Sequence, residues 1–404
     1  MYKNFLDIYK ITPSEHFFQN RIGENILLQD FFNTMFLIYF TDIKKKRKNG
    51  EKLELIIEVD DVEKFTRIGK KIEELVKFMS YENWKFKFIK RESEKKMFDL
   101  FDEEFEVVAL LSGGLDSFTG TYYNKDRKTK YIGFNLNSSE QKSQKEIMKL
   151  IEGYNNGSKF KSHKLSKRKK NVLTQRTRSL FFFALGIVEA YLSKVKKLNI
   201  YENGIMSLNP SLNYSRQTTK TTHPKTLYMF NEILRELGID IELENTCVNR
   251  TKAQMISDLP EEYLRLVEKT TTCGVNRQKI SFDNKKYTHC GACVPCILRK
   301  ITLAANKLEY LDKEKYQISY DQSISKKFRP ENVKIDLFNE YKSAIMYFNN
   351  FRKAVENKEV FKYLETLKKY YSDTSYFQRD EMLDQFKKEL DIFFERHPNI
   401  LGKE

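Results

Sequence analysis

The sequence predicts an α/β protein built on a doubly wound, mostly parallel sheet, flanked by an N-terminal α+β domain and a C-terminal helical region. Three observations carry this. Strand and helix signals alternate between about 105 and 310, as βαβ units require. An apolar strand, Val107 to Leu111, runs straight into Ser112-Gly113-Gly114 and then a helical pattern. Four of the five cysteines fall within 24 residues late in that stretch. With 404 residues and roughly 150 per domain, three units are expected: 1–104, 105–310 and 311–404.

In the first unit, Met35 to Phe40 and Leu53 to Val59 read as strands, and Asn49-Gly50 between them reads as a hairpin turn. Asp60 or Asp61 caps a helix whose apolar residues are Phe65, Ile68, Ile72, Leu75 and Met79. Trp84, Phe86 and Phe88 alternate with lysines as a half-buried strand. In the second unit, strands are expected at Val107–Leu111, Tyr131–Asn135, Leu198–Glu202 and Ile239–Leu243, with helices over Thr174–Lys194 and Lys225–Leu237. Lys161 to Lys170 reads as a surface loop. In the third unit, Leu337, Tyr341, Ile345, Phe348, Phe351 and Val355 recur at helical spacing, as do Met382, Leu383, Phe386, Leu390 and Phe393.

Composition excludes several classes. Hydrophobic residues at 40% can fill a core, so global disorder is out. Fifteen Gly and seven Pro exclude a collagen-like chain. The most apolar stretch, Leu180 to Val188, is far short of the roughly 20 residues of a membrane span. Met1 to Gln19 mixes charges with aromatics and does not read as a signal peptide, so the expected location is the cytoplasm and the cysteines do not read as disulfides. The formal charge is +16, but the excess is scattered lysine without a nucleic-acid-binding motif. No direct nucleic-acid partner is expected, and the excess suits phosphate ligands or an acidic protein surface.

The loop Ser112-Gly113-Gly114-Leu115-Asp116-Ser117 is the sharpest chemical signal. Two glycines allow a tight turn close to an anion, and turn and helix amides can cradle phosphate. Ser112 and Ser117 add hydroxyls. Asp116 would repel a phosphate unless it caps the helix or a Mg²⁺ intervenes. The spacing is that of neither a Walker A loop nor a Gly-x-Gly-x-x-Gly turn. Cys273, Cys290, Cys293 and Cys296 form C-x16-C-x2-C-x2-C, which closes a tetrahedral Zn²⁺ shell of the structural kind. An iron–sulfur cluster uses the same ligands. Cys247 reads as a buried small hydrophobe and His289 as a loop residue.

The loop resembles that of the PP-loop ATP pyrophosphatases, and loop and cysteines together resemble the 7-cyano-7-deazaguanine synthase (QueC) family. Cys290-Gly291-Ala292-Cys293-Val294-Pro295-Cys296-Ile297-Leu298-Arg299-Lys300 fits that family's zinc segment. Arg178-Ser179-Leu180 is similar to its Arg-Asn helix start, with Ser179 for Asn, and Thr251-Lys252 to its Ser/Thr-Lys pair. The resemblance covers about 105 to 310. The family's Gly-, Tyr-, Pro- and Asp-rich substrate segment is not matched; Glu202 to Pro210, Arg216 and His223-Pro224 stand there instead. The added flanks resemble the long QueC-like chains of bacterial antiphage operons.

The resemblance implies a PP-loop core in which Ser112, Gly113, Gly114, Leu115, Asp116 and Ser117 bind ATP with Mg²⁺. Arg178 would meet phosphate charge, and Lys252 would neutralise the leaving AMP. Glu202, Asn203 and Arg216 are expected to line a nucleobase pocket, because they follow the carboxyl end of a strand. The implied reaction adenylates 7-carboxy-7-deazaguanine and passes the acyl group to an amine. The favoured acceptor is the N-terminus of a protein encoded nearby. Ammonia, giving the nitrile, is the alternative, followed by a tRNA thiolase or a non-catalytic scaffold. The flanks also suit self-association.

Overall fold

The computed structural model describes residues 25–44, 52–91, 104–135, 138–151, 157–164, 176–210, 212, 219–274, 288–312, 315–322, 324, 336–371 and 373–401. Its centre is a five-stranded sheet of β3 (Val107–Leu110), β4 (Thr129–Asn135), β5 (Lys159–Lys164), β6 (Lys197–Ile200) and β7 (Glu242–Asn245). All pairings are parallel and the order is β5-β4-β3-β6-β7. The first strand of the unit, β3, is therefore central, and the chain reverses its direction of winding between β3 and β6. In such sheets a crevice opens at that point, beyond the carboxyl ends of the strands.

Alternate residues of the strands serve two faces. Val108, Leu110, Ile132, Phe134, Leu198 and Ile200 belong to one core with helices Arg178–Leu192 and Pro224–Leu237. Val107, Ala109 and Tyr131 belong to a second, with Leu115, Phe118, Ile147 and Met255. A third core joins the four cysteines to helices Val294–Ala305, Leu337–Glu356, Glu359–Leu367 and Asp373–Arg396.

The N-terminal elements share the first core with the sheet. Met35 to Phe40, expected as a strand, lies instead inside a helix, Ile26–Lys44. A short unbroken apolar run does not distinguish a strand from a helix buried on every side, and here Phe31 to Phe40 are all buried. The anchor is aromatic: the Phe181 ring meets Phe32, Phe36, Tyr39 and Phe134 at centroid separations of 5.1–5.9 Å. The expected hairpin falls with the strand. Strand β1 (Leu53–Val59) pairs in parallel with β2 (Trp84–Lys90) through helix Val62–Ser80; Asn49-Gly50 lies outside the described residues. Asp61 caps that helix, accepting from Lys64 N at 2.9 Å.

Lys161 to Lys164, read as loop, belongs to edge strand β5. Its lysine-rich alternation suits an edge. Lys161 and Lys130 of β4 both pair with buried Glu189, at 2.6 and 2.7 Å.

Candidate functional site

The glycine loop sits at the reversal point. Gly113 adopts φ +82°, a left-handed conformation natural only to glycine. Gly114 is the N-cap of helix Leu115–Tyr123 and no side chain caps that helix, so its first-turn amides are left for a ligand. Ser112 Oγ lies 3.1 Å from Ser117 Oγ and accepts from Gly114 N at 3.3 Å. Two neighbouring segments brace the turn. Thr271 N donates to Gly113 O at 2.9 Å, and Gln144 Nε2 donates to Ser112 O at 3.3 Å.

Asp116 is buried beneath the loop and gathers residues from two other strand ends. Lys252 Nζ lies 3.0 Å from Asp116 Oδ1. Asn203 donates to Oδ2 through its side-chain amide at 2.7 Å and its backbone amide at 3.3 Å. Burial would raise the Asp116 carboxyl, but the Lys252 cation, with hydrogen bonds from Glu202, Asn203 and Lys252, holds it below the usual carboxylate range. Asn203 Nδ2 also donates to Glu202 Oε1 at 3.2 Å, and its Oδ1 caps the short helix Gly204–Leu208. Lys252 opens helix Lys252–Ser257, whose N-cap Thr251 forms a reciprocal capping box with Gln254.

Thus Ser112, Gly113, Gly114, Leu115, Asp116, Ser117, Glu202, Asn203 and Lys252 converge. Arg178 Nη2 donates to Phe134 O, near the end of β4, at 2.8 Å. It lies on the same edge of the sheet. Arg216 falls outside the described residues.

Several supporting residues escaped the sequence reading. Asn245, at the carboxyl end of β7, accepts from Glu202 N at 3.1 Å and donates to Glu202 O at 2.9 Å. The strand-end rule that singled out Glu202 applies equally to it. Asp42 accepts from Thr177 Oγ1 at 2.6 Å, so the N-terminal helix holds the start of the helix that carries Arg178. The last helix, expected only to pack, reaches the site twice: Glu389 accepts from Thr251 Oγ1 at 2.5 Å, and Met382 lies against Gly204, where a Cβ would fall 2.1 Å from its sulfur. Burial pushes the Glu389 carboxyl up to about 7, against hydrogen bonds from Thr251 and Gln385. No local pattern announces such contacts.

The cysteines meet as their spacing required. The Sγ atoms of Cys273, Cys290, Cys293 and Cys296 all lie within 4.8 Å of one another and are buried, a set that could hold a metal ion such as zinc. The Cys290–Cys296 separation of 3.8 Å matches the edge of a tetrahedron with about 2.3 Å Zn–S bonds. Cys290 Sγ accepts from the Ala292 and Cys293 amides, both at 3.3 Å, as a thiolate would. Gly291 turns the knuckle at φ +76°; a Cβ there would sit 2.1 Å from Ile318 O. His289 is no ligand. Burial keeps it neutral, its Nε2 accepts from Thr272 N at 3.2 Å, and its Nδ1–H faces Thr288 Oγ1 at 2.8 Å. Cys247 is buried, and that burial pushes its thiol up to about 12.

The knuckle and the loop are mechanically joined. Buried Arg299 pairs with Asp312 at 2.6 Å and donates to Val267 O, Thr270 Oγ1 and Thr272 Oγ1. Those residues belong to the strip that runs past Thr271, on the loop, into Cys273. Among the described residues no helix is long and apolar enough to cross a membrane. No protein-family model matches the chain, and no curated protein is significantly similar to it.

Proposed function

We propose that this chain is an AMP-forming carbon–nitrogen ligase of the PP-loop type. The observation that carries the reading is the convergence, at the reversal point of a parallel sheet, of an uncapped glycine loop with Asp116, Glu202 and Lys252. Loop amides and the Ser112 and Ser117 hydroxyls suit a pyrophosphate. Asp116 and Glu202 suit a Mg²⁺ ion, which would offset phosphate charge when bound.

In this reading a substrate carboxylate attacks the α-phosphorus of ATP, the α–β bridge breaks and pyrophosphate leaves. The amine nitrogen then attacks the acyl carbon, loses a proton to water, and AMP departs with the bridging oxygen. Lys252 offsets charge on the departing phosphate. The proposed carboxylate is 7-carboxy-7-deazaguanine, and the proposed amine is the N-terminus of a partner protein. The flanking helices support a protein acceptor: the last helix touches both Gly204 and Thr251 beside the loop. Zinc held by Cys273, Cys290, Cys293 and Cys296 would stiffen the strip behind the loop and take no part in bond making.

The test supplies ATP, the carboxylate and either ammonia or the candidate partner. AMP and pyrophosphate are expected, with mass added to the partner. Asp116→Asn should lower turnover by at least about 10²-fold, as loss of a preorganised charge does, without loss of the fold by circular dichroism. ADP and phosphate as the only nucleotide products would overturn the reading.

A further inference from the structure

Met382, Gln385 and Glu389 follow one another at steps of three and four along the last helix, Asp373–Arg396, and so share one of its faces. That face covers the place where the starts of two short helices meet. Gly204 N, which opens helix Gly204–Leu208, donates to Arg250 O at 2.8 Å, just before helix Lys252–Ser257 begins. Met382 closes on the first helix: a Cβ on Gly204 would fall 2.1 Å from its sulfur and 2.2 Å from Val248 O. Glu389 closes on the second, accepting from Thr251 Oγ1 at 2.5 Å.

Each short helix carries one partner of Asp116. Asn203 caps the first and donates to Asp116 Oδ2 at 2.7 Å. Lys252 opens the second and lies 3.0 Å from Asp116 Oδ1. The residue before it, Thr251, is fully buried and its hydroxyl is used twice: it accepts from Gln254 N at 3.1 Å and donates to Glu389. Glu389 is held in turn. Gln385 Nε2, one turn earlier, donates to the same carboxylate oxygen at 3.2 Å. A buried carboxylate with no cation opposite it among the described residues costs stability. An apolar side chain would pack there at less cost, but it could not anchor the Thr251 hydroxyl, and a bond from hydroxyl to carboxylate is a strong anchor. That hydroxyl fixes the start of the helix, and with it the direction in which the Lys252 side chain leaves the backbone.

We propose that Glu389 is a positioning residue for Lys252: through the Thr251 hydroxyl it fixes the start of helix Lys252–Ser257 and so holds the Lys252 ammonium on Asp116. The last helix thereby acts on the loop site from outside the parallel sheet. Glu389 itself touches no reacting atom. The positioning stands on geometry alone; its effect on turnover rests on the ligase reading, in which Lys252 offsets charge on the departing phosphate. A cation with that task works mainly in the transition state, so its displacement lowers kcat more than it raises KM for ATP.

The test compares the full chain with its Glu389→Met, Glu389→Gln and Phe386→Leu variants. Glu389→Met removes the acceptor, and Glu389→Gln keeps an oxygen for the Thr251 hydroxyl. Phe386 lies on the same helix against Phe348 and Phe351, at centroid separations of 6.2 and 5.2 Å, so Phe386→Leu loosens that helix away from the site. Two quantities are read: AMP formation under the conditions of the ligase test, and the rate at which acetic anhydride labels Lys252, followed by peptide mass and independent of turnover. Glu389→Met should lower kcat by on the order of 10- to 10²-fold with KM for ATP within about threefold. It should also speed Lys252 labelling by at least about twofold. Glu389→Gln should restore both, and Phe386→Leu should lower the melting temperature and change neither. The proposal falls if Glu389→Met leaves the labelling rate at the parent value, if Glu389→Gln is as impaired as Glu389→Met, or if Phe386→Leu matches them. Should Glu389→Met fail to fold, Glu389→Asp, which draws the carboxylate back by one methylene, takes its place with the same outcomes. Faster labelling with kcat unchanged would uphold the positioning and count against the role given to Lys252. If the parent forms no AMP, the ligase reading falls and the labelling alone decides the positioning.

Discussion

Two regions of this protein bury charged and polar groups in opposite ways. Around the cysteine knuckle the buried cations Lys300 and Arg299 are answered from within the chain. Lys300 is fully buried and donates to three carbonyls, Gly291 O, Ile318 O and Ser319 O, at 2.8–3.0 Å. Arg299 has Asp312 and a carbonyl and two hydroxyls of the 267–272 strip. At the carboxyl edge of the sheet the answers are incomplete. The loop helix has no side-chain cap, and Lys220, brought down to about 8 like Lys300, faces the Phe78 ring with no carboxylate opposite it among the described residues. Two buried lysines with the same displacement therefore mean different things. One is a structural bolt whose desolvation is offset by carbonyl dipoles. The other has an aromatic ring opposite it and no carboxylate partner among the described residues. The lesson is to read a perturbed group through its partners and not through its displacement.

The contrast breaks most sharply at the metal. Chelation, or Cys293→Ser, should remove a closed centre whose binding is also folding energy, on the order of 10 kcal/mol for structural zinc. Elemental analysis should find about one zinc per chain before treatment, and the melt should collapse after it. A metal-free protein that melts unchanged would show the knuckle to be no more built-in than the edge. Bound iron with visible absorbance would exchange zinc for an iron–sulfur cluster.

A smaller blow tests whether the knuckle region depends on internal pairing. Arg299→Leu leaves Asp312 charged and buried with only tyrosine hydroxyls, and should cost about 3–5 kcal/mol. Adding Asp312→Leu should recover much of it, because the stranded charge has gone. Urea unfolding of the single and double variants measures this. A double variant no better than the single would mean that packing, not pairing, holds the strip.

The mildest effect comes from Glu389, which sits between the two styles: buried, hydrogen-bonded, but with no cation opposite it among the described residues. In the folded chain it keeps its proton up to about 7, whereas an unfolded glutamate releases it near 4.5. The folded state binds more protons in that window, so stability falls as pH rises from about 4.5 to about 7 and then levels. Glu389→Gln should be less sensitive to pH and more stable than the parent at pH 8, by up to about 3 kcal/mol. Urea midpoints from pH 5 to pH 8 compare the two. Parallel curves would place the Glu389 titration elsewhere.

How much of this was legible depended on range. Local signals sufficed for β3, the glycine turn, the Asp61-capped helix, the knuckle and the C-terminal helices, because capping, turn geometry and 3.6-residue periodicity act within a few neighbours. The cysteines needed only spacing, since a metal-binding tetrahedron leaves thiols little choice of position. Glu202 and Asn203 were legible from their place after a strand, although Asp116, their partner, stands 87 residues before Asn203.

What the tertiary structure alone decided were the matters set by surroundings. Met35 to Phe40 form helix because Phe181 and its neighbours enclose that run, and a run buried on all sides carries no periodicity to read. Glu389 meets Thr251 across 138 residues, and Arg178 meets Phe134 O across 44. Lys220 faces the Phe78 ring, and no distant segment brings a carboxylate to it among the described residues. Residue types and spacing determined which groups could bond, cap or bind an ion. Burial, charge balance and the open positions at the sheet edge were decided by packing, because desolvation depends on everything that excludes water from a group and not on its neighbours in the chain.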